Sequence, residues 1–107
     1  MRPTDCCLKC YLKKMSYQHL GAVNFWKLLA DLFVQQRGIC AYTGRRLRLG
    51  VNASIDHFHP RSRFPHLSND INNLRWVHIH ANQAKAALDL REFILLCQDV
   101  VRYMHGK

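Results

Sequence analysis

Asp56 and His57 are adjacent side chains that could together carry out chemistry. A neutral imidazole can accept a proton from water near neutral pH, because its unperturbed pKa is about 6.5. Neighbouring residues on an ideal strand point to opposite faces, so Asp56 and His57 can serve one site only where a strand ends or bends. Pro60 and the Arg-rich residues 61–63 are consistent with such an ending.

The chain around this pair predicts a strand–loop–strand–helix order, called here the ββα unit. Residues 39–58 have the pattern of a β-hairpin region, and its last segment, 53–57, is predicted to be a strand. Residues 60–72 contain Pro, Ser, Asn and Asp and are predicted to be a loop. Residues 74–78 alternate apolar and polar side chains and predict a second strand. Residues 79–88 then form an Ala-rich helix.

Two further helices are predicted to flank the ββα unit. Residues 22–36 carry apolar side chains at helical spacing and end before Gly38. A last helix covers about 90–104, and Asp89 and Glu92 form a capping-box-like pair at its start. We expect its apolar stripe to be part of the core and not a binding groove; the stripe consists of Leu90, Phe93, Ile94, Cys97, Val101 and Met104.

Length and charge bound the function. The 107 residues suit one domain, which we place at 21–107 with its core at about 39–88, preceded by an irregular arm at 1–20. Sixteen Lys and Arg against seven Asp and Glu give a net charge of +9, which attracts a polyanion. The basic residues are spread along the chain and no long apolar run occurs, so we expect no membrane partner and a cytoplasmic protein.

Several short motifs in a fixed order resemble the His-Asn-His (HNH) endonuclease superfamily. They are GICAYTG at 38–44, ASIDH at 53–57, NLRWV at 73–77, NQAK at 82–85 and EF at 92–93. The chain is most similar to small phage and intron-associated members with Asn in place of the final His, over roughly residues 35–97. The resemblance implies an α+β fold with a ββα-metal (HNH or treble-clef-like) core between N- and C-terminal helices. It also implies a metal-dependent DNA endonuclease in the cytoplasm of a bacterium or a phage-infected cell.

The resemblance also implies a role for each motif residue. Asp56 and Asn82 correspond to the ligands of one divalent metal, and their oxygen atoms suit Mg²⁺ or Mn²⁺ better than Zn²⁺. His57 corresponds to the general base. Asn73 corresponds to the residue that holds the loop and orients the imidazole of His57. The neighbouring His59 is a candidate for a supporting contact.

Basic side chains near these motifs are candidates for contacts with the phosphate backbone. Arginine forms planar, forked contacts with phosphate oxygens. As individual residues they could equally be solvated surface positions. The candidates are Arg45, Arg46, Arg61, Arg63 and Lys85.

The cysteines leave a structural zinc site open. Cys7 and Cys10 have the spacing of a zinc knuckle, and Cys40 stands where a second knuckle would begin. Thr43 occupies the position expected for the partner of Cys40, which argues against the site. A zinc bound by Cys7, Cys10, Cys40 and a histidine is the alternative.

Two other classes of function remain open from the sequence. One is a catalytically inactive nucleic-acid-binding protein on the same scaffold. The other is a basic protein that binds or inhibits an acidic protein partner. RNA as a substrate and a homodimer that cuts both strands are also open.

Overall fold

The structure is a computed structural model that describes residues 25–106. In this part of the chain it contains three α-helices and one two-stranded antiparallel sheet, so the expected α+β class is confirmed. The predicted arm at 1–20 lies outside the described residues. The elements are α1 (Phe25–Gln35), β1 (Ala53–His57), β2 (Leu74–His78), α2 (Ile79–Lys85) and α3 (Leu90–His105).

Helix α1 packs on one face of the sheet through β2. Leu29 is fully buried, and its carbonyl accepts a hydrogen bond from the indole nitrogen of Trp76 at 2.9 Å. The ring of Phe33 meets the Trp76 ring edge-on, with 5.3 Å between the ring centroids. The helix ends where Arg37 and Gly38 take positive φ angles, and the Gly38 N–H closes the turn on the Phe33 carbonyl. Trp76 is fully buried at this contact between α1 and the sheet.

The two strands have the bounds expected from the sequence. Their register pairs Asp56 with Arg75 and His57 with Leu74. Because side chains alternate along a strand, Ile55 points to the face of α1 and Asp56 points to the opposite face. Asp56 therefore lies on the face that α2 covers.

Residues 39–52 form turns and not a regular hairpin. A single bridge joins Ile39 to Arg46, and Gly44 and Gly50 have positive φ angles that turn the chain sharply. The side chain of Asn52 accepts from the Arg48 N–H at 2.7 Å, which closes the second turn. The β-hairpin expected for 39–58 is thus reduced to that bridge and strand β1.

Helix α2 is shorter than predicted. Ala86 has a φ of 49° and a ψ of −125°, which departs from helical backbone angles, so the helix ends after Lys85 and not at residue 88. The connection between β1 and β2 contains two short 3₁₀ turns, Pro65–Leu67 and Ile71–Asn73, in the segment predicted to be a loop.

The capping of α3 is as expected, but its environment is not. Asp89 and Glu92 form a complete capping box. However, no residue of α3 is buried against the described part of the chain, and Ile94, Val101 and Met104 are 45%, 53% and 59% exposed. The expectation that its stripe belongs to the core is wrong. An amphipathic pattern requires an apolar partner surface, and residues 25–106 supply one only at the start of the helix.

The start of α3 lines an open apolar groove of about 710 Å³. The other wall of the groove is the turn Ala41–Thr43, and Phe93 and Cys97 are among its α3 residues. Within residues 25–106, no helix is long and apolar enough to cross a bilayer.

Candidate functional site

Asp56 is a buried carboxylate held by two donors. It is 6% exposed, and its Oδ2 accepts a hydrogen bond from the Tyr42 hydroxyl at 2.7 Å. The ammonium of Lys85 lies 2.9 Å from the same oxygen. Burial raises the pKa of the Tyr42 phenol and the nearby Asp56 charge raises it further, so Tyr42 remains a donor. Within residues 25–106 the second oxygen, Oδ1, accepts no hydrogen bond, and 8% of the Asp56 side chain stays exposed.

His57 lies at the end of β1 with its ring half-buried. Its Nε2 is 3.0 Å from the backbone carbonyl of Ser68. A carbonyl oxygen can only accept, so Nε2 carries the proton and Nδ1 of the neutral ring is left as an acceptor. Burial lowers the pKa of His57, and the positive charges of Arg61 and Lys85 lower it further, although the Ser68 contact and Asp56 oppose them. A lowered pKa favours the neutral ring at neutral pH, which is the state that a general base requires.

Asn73 clamps the backbone of the loop that follows β1. Its Oδ1 accepts from the His59 N–H at 2.8 Å, and its Nδ2 donates to the His59 carbonyl at 3.0 Å and to the Leu67 carbonyl at 3.3 Å. Its own carbonyl accepts from the Phe58 N–H at 2.8 Å. Asn73 therefore lies where it holds the loop. The His57 ring itself is held by the Ser68 carbonyl, so Asn73 acts on its orientation only through the loop.

Asn82 lies on α2 with its amide group held against β1. Its Nδ2 donates to Ser54 Oγ at 3.1 Å and to the Ile55 carbonyl at 3.3 Å. Because both partners are used as acceptors, the amide is oriented with Oδ1 directed away from them. No hydrogen bond from the described residues reaches this oxygen, so it is available as a ligand.

The oxygen donors present suit a hard divalent cation. Asp56 and Asn82 each retain one oxygen without a hydrogen bond from residues 25–106. Mg²⁺ is commonly bound by one or two protein oxygens, with water and phosphate completing its coordination. Residues 25–106 contain no cluster of three or more His, Cys, Asp or Glu side chains that could hold a metal. Asp56 and Asn82 supply two oxygen atoms of the kind that such a cation prefers.

Lys85 is placed differently from what its expected role as a phosphate contact requires. Its side chain is 0% exposed. Besides its ion pair with Asp56, Nζ donates to the His57 carbonyl at 2.9 Å. Its position one turn after Asn82 on α2 turns both side chains toward β1, so the ammonium lies inside the domain.

The predicted arginine contacts have unequal surroundings. Arg45, Arg46 and Arg61 are exposed, as phosphate contacts must be. The guanidinium of Arg63, by contrast, is paired with the carboxylate of Glu92 on α3. His59 also reaches α3, with its Nδ1 3.0 Å from Asp89 Oδ1, so these residues join the loop to the start of α3.

The cysteine predictions are only partly within the described chain. Cys7 and Cys10 lie outside residues 25–106. Cys40 is 2% exposed, and its sulfur accepts from the His78 N–H at 3.2 Å. Burial acts to raise the pKa of the Cys40 thiol, but hydrogen bonds from Thr43, His78 and Tyr42 outweigh it, and the net pKa is lowered. The zinc site therefore stays a prediction.

Sequence reasoning missed Tyr42, Ser68 and the internal position of Lys85. The spacing of Lys85 from Asn82 does place both on one face of a helix, so that signal was present. Tyr42 and Ser68 act across turns whose shape the sequence does not encode in a simple pattern.

Comparison with known proteins adds no family to this geometry. Neither a scan against protein-family models nor a search of curated proteins found a match. The functional interpretation therefore depends on the arrangement of Asp56, His57, Asn73 and Asn82 itself.

Proposed function

We propose that this chain is a metal-dependent DNA endonuclease of the HNH type, with β1, β2 and α2 as its ββα-metal core. The observation that carries the proposal is the contact between His57 Nε2 and the Ser68 carbonyl. It fixes the neutral ring with Nδ1 as the acceptor. Asp56 and Asn82 each retain one oxygen atom that would bind a cation. The net charge of +9 supports a polyanionic substrate.

In the proposed reaction, His57 Nδ1 takes a proton from a water molecule. The resulting hydroxide attacks phosphorus in line with the 3′ oxygen, and the P–O3′ bond breaks. Asp56 and Asn82 would hold Mg²⁺ or Mn²⁺, which supplies charge stabilisation for the phosphate and the departing oxygen. The products are a 5′-phosphate and a 3′-hydroxyl, the latter protonated by solvent.

The protein contributes positioning as well as the base. Asn73 holds the backbone of the loop that leads from His57, and the carbonyl of Ser68 within this loop fixes the ring. Arg45, Arg46 and Arg61 are exposed and would hold the DNA backbone. Each is a separate candidate for mutation.

A plasmid cleavage assay with Mg²⁺, Mn²⁺ or EDTA tests the proposal. The wild-type chain should nick or linearise the plasmid only with metal, and His57→Ala should remove this activity. His105→Ala is the matched control, because His105 is an exposed histidine near the end of α3 and away from the site. Activity that survives His57→Ala, or a wild-type chain that is inactive with every metal, would contradict the proposal.

One observation favours a second candidate, a nucleic-acid-binding protein without catalysis. The carboxylate of Asp56 is already neutralised by Lys85. A wild-type chain that binds DNA with strong salt dependence, but does not cleave it with any metal, would support this candidate.

A further inference from the structure

A buried ion pair lies within the proposed metal site. Lys85 Nζ is 2.9 Å from Asp56 Oδ2, and the two side chains are 0% and 8% exposed. The ammonium also donates to the backbone carbonyl of His57 at 2.9 Å. One lysine thus contacts both residues of the Asp56–His57 pair.

The two oxygen atoms of the Asp56 carboxylate have different surroundings. Oδ2 accepts from both Lys85 and Tyr42, whereas Oδ1 accepts from no residue in the part of the chain described. A carboxylate with two donors on one oxygen cannot rotate freely, so the direction of Oδ1 is set before any cation binds. Removing either donor would leave that direction less defined.

The ammonium and a divalent cation would share the same carboxylate. Two positive charges at a buried site repel each other strongly, because a low effective dielectric screens them poorly. Lys85 cannot readily avoid this repulsion, since its side chain is fully enclosed and its ammonium is bound at two oxygens.

We propose that Lys85 is a built-in counter-ion that keeps Asp56 in place without metal and weakens the binding of the divalent cation. This inference rests on the proposed function, because it assumes that Asp56 holds the metal. Lys85 is therefore a positioning residue and not a phosphate contact. The metal would bind weakly to the free protein and more firmly once a phosphate supplies further oxygen ligands.

The direction in which loss of Lys85 changes the affinity for metal distinguishes this role from a purely structural one. If Lys85 only supported the fold, its loss would loosen the site and weaken metal binding. If it is a competing cation, its loss should tighten metal binding, because the unpaired carboxylate then has no other positive partner. The same loss should lower the stability of the metal-free protein, since a buried charge loses its partner.

The test is calorimetric titration of Mn²⁺ into the full chain in the wild-type and Lys85→Met forms. Methionine keeps the length and apolar stem of the side chain without its charge. We expect the dissociation constant for Mn²⁺ to fall by about tenfold or more, which corresponds to about 1.4 kcal/mol. We also expect a lower melting temperature without metal and a larger rise on adding Mn²⁺ than in the wild type.

Arg75→Met is the matched control for loss of one positive charge. Arg75 lies opposite Asp56 in the register of the two strands, but its guanidinium donates to the carbonyls of Asn72 and Leu74. This change should alter Mn²⁺ affinity much less than Lys85→Met. An equal gain in both variants would show only a general charge effect and would overturn the proposal.

A second variant covers the case in which methionine at this buried position prevents folding. Lys85→Gln retains an amide donor in place of the ammonium. If both variants are unfolded without metal but fold with Mn²⁺, the proposal is supported, because the metal then replaces the missing charge. Unchanged or weaker Mn²⁺ binding, or failure of both variants to fold even with Mn²⁺, would overturn it.

The outcomes also separate this inference from the proposed function. A wild-type chain that binds Mn²⁺ and cleaves DNA, with no tightening in Lys85→Met, would remove only the counter-ion role. A site that binds no Mn²⁺ in the wild type or in Lys85→Met would overturn both the metal site and the inference.

Discussion

The sheet with its two covering helices and the long helix α3 both carry apolar side chains at regular spacing. These side chains are buried around the sheet but exposed along α3. Around the sheet, apolar residues such as Leu29 and Trp76 are buried on the side of α1, and the paired polar groups are enclosed on the side of α2. On α3, equally apolar residues such as Leu96 and Val101 are about half exposed. Both regions have clear periodic patterns, so a pattern shows which face is apolar but not what covers it.

The same contrast applies to charged side chains. The Lys85–Asp56 pair is enclosed between α2 and β1, whereas the Arg63–Glu92 pair lies on the surface, with each side chain 47% exposed. A buried pair that loses one partner leaves an uncompensated charge, while an exposed pair is replaced by water. Loss of Lys85 would therefore change the surroundings of Asp56 strongly, whereas the exposed Arg63–Glu92 pair mainly holds the start of α3 in place.

The largest expected difference comes from truncating one leucine in each region. Leu29→Ala should reduce the free energy of unfolding by about 2–5 kcal/mol, because it opens a cavity at a fully buried position. Leu96→Ala should change it by no more than about 0.5 kcal/mol, since Leu96 is 48% exposed. Denaturant unfolding measures both. Similar losses in the two variants would mean that the side of α3 that carries Leu96 is covered in solution.

A smaller effect is expected from removing the Asn73 side chain, which holds the loop after β1. Asn73→Ala removes three side-chain hydrogen bonds to the backbone of His59 and Leu67, and should cost about 1–3 kcal/mol. Faster amide exchange at His59 would locate the loss in the loop. Cleavage should slow more than DNA binding weakens, because the Ser68 carbonyl no longer holds His57 firmly.

Asn69→Ala is the control for the loop clamp, since Asn69 is an exposed asparagine in the same loop. It should leave stability and amide exchange near the wild-type values. If the two asparagine variants behave alike, Asn73 does not have the clamping role that its contacts indicate.

The smallest expected effect is a dependence of stability on pH through His57. Its folded pKa is below the ordinary value of 6.5, so the unfolded chain binds more protons as the pH falls below about 6.5. The stability contributed by neutral His57 is present above pH 6.5 and is lost as the pH falls through the folded pKa. The melting temperature of the wild type minus that of His57→Gln should decrease as the pH is lowered from 8 to 5. If this difference in melting temperature does not change with pH, or increases as the pH is lowered, the result would contradict the assigned burial of the ring.

Much of the local structure could be predicted from the sequence. The bounds of strands 53–57 and 74–78 agree with the sequence pattern, and Asp89 with Glu92 is a local capping signal. The end of α2 could not be predicted, because the positive φ of Ala86 has no signature in an alanine-rich segment. The expected core position of the α3 stripe failed because burial depends on a partner surface elsewhere in the chain.

The sequence by itself determined the order of the elements and the residue types of the candidate site, because both follow from spacing along the chain. Only the tertiary structure decided that Tyr42 and Lys85 meet on one oxygen of Asp56 and that Ser68 holds the ring of His57. These contacts join residues distant in sequence across turns and the sheet face. Their existence depends on the register of β1 with β2 and on the packing of α2, and no periodic pattern specifies either.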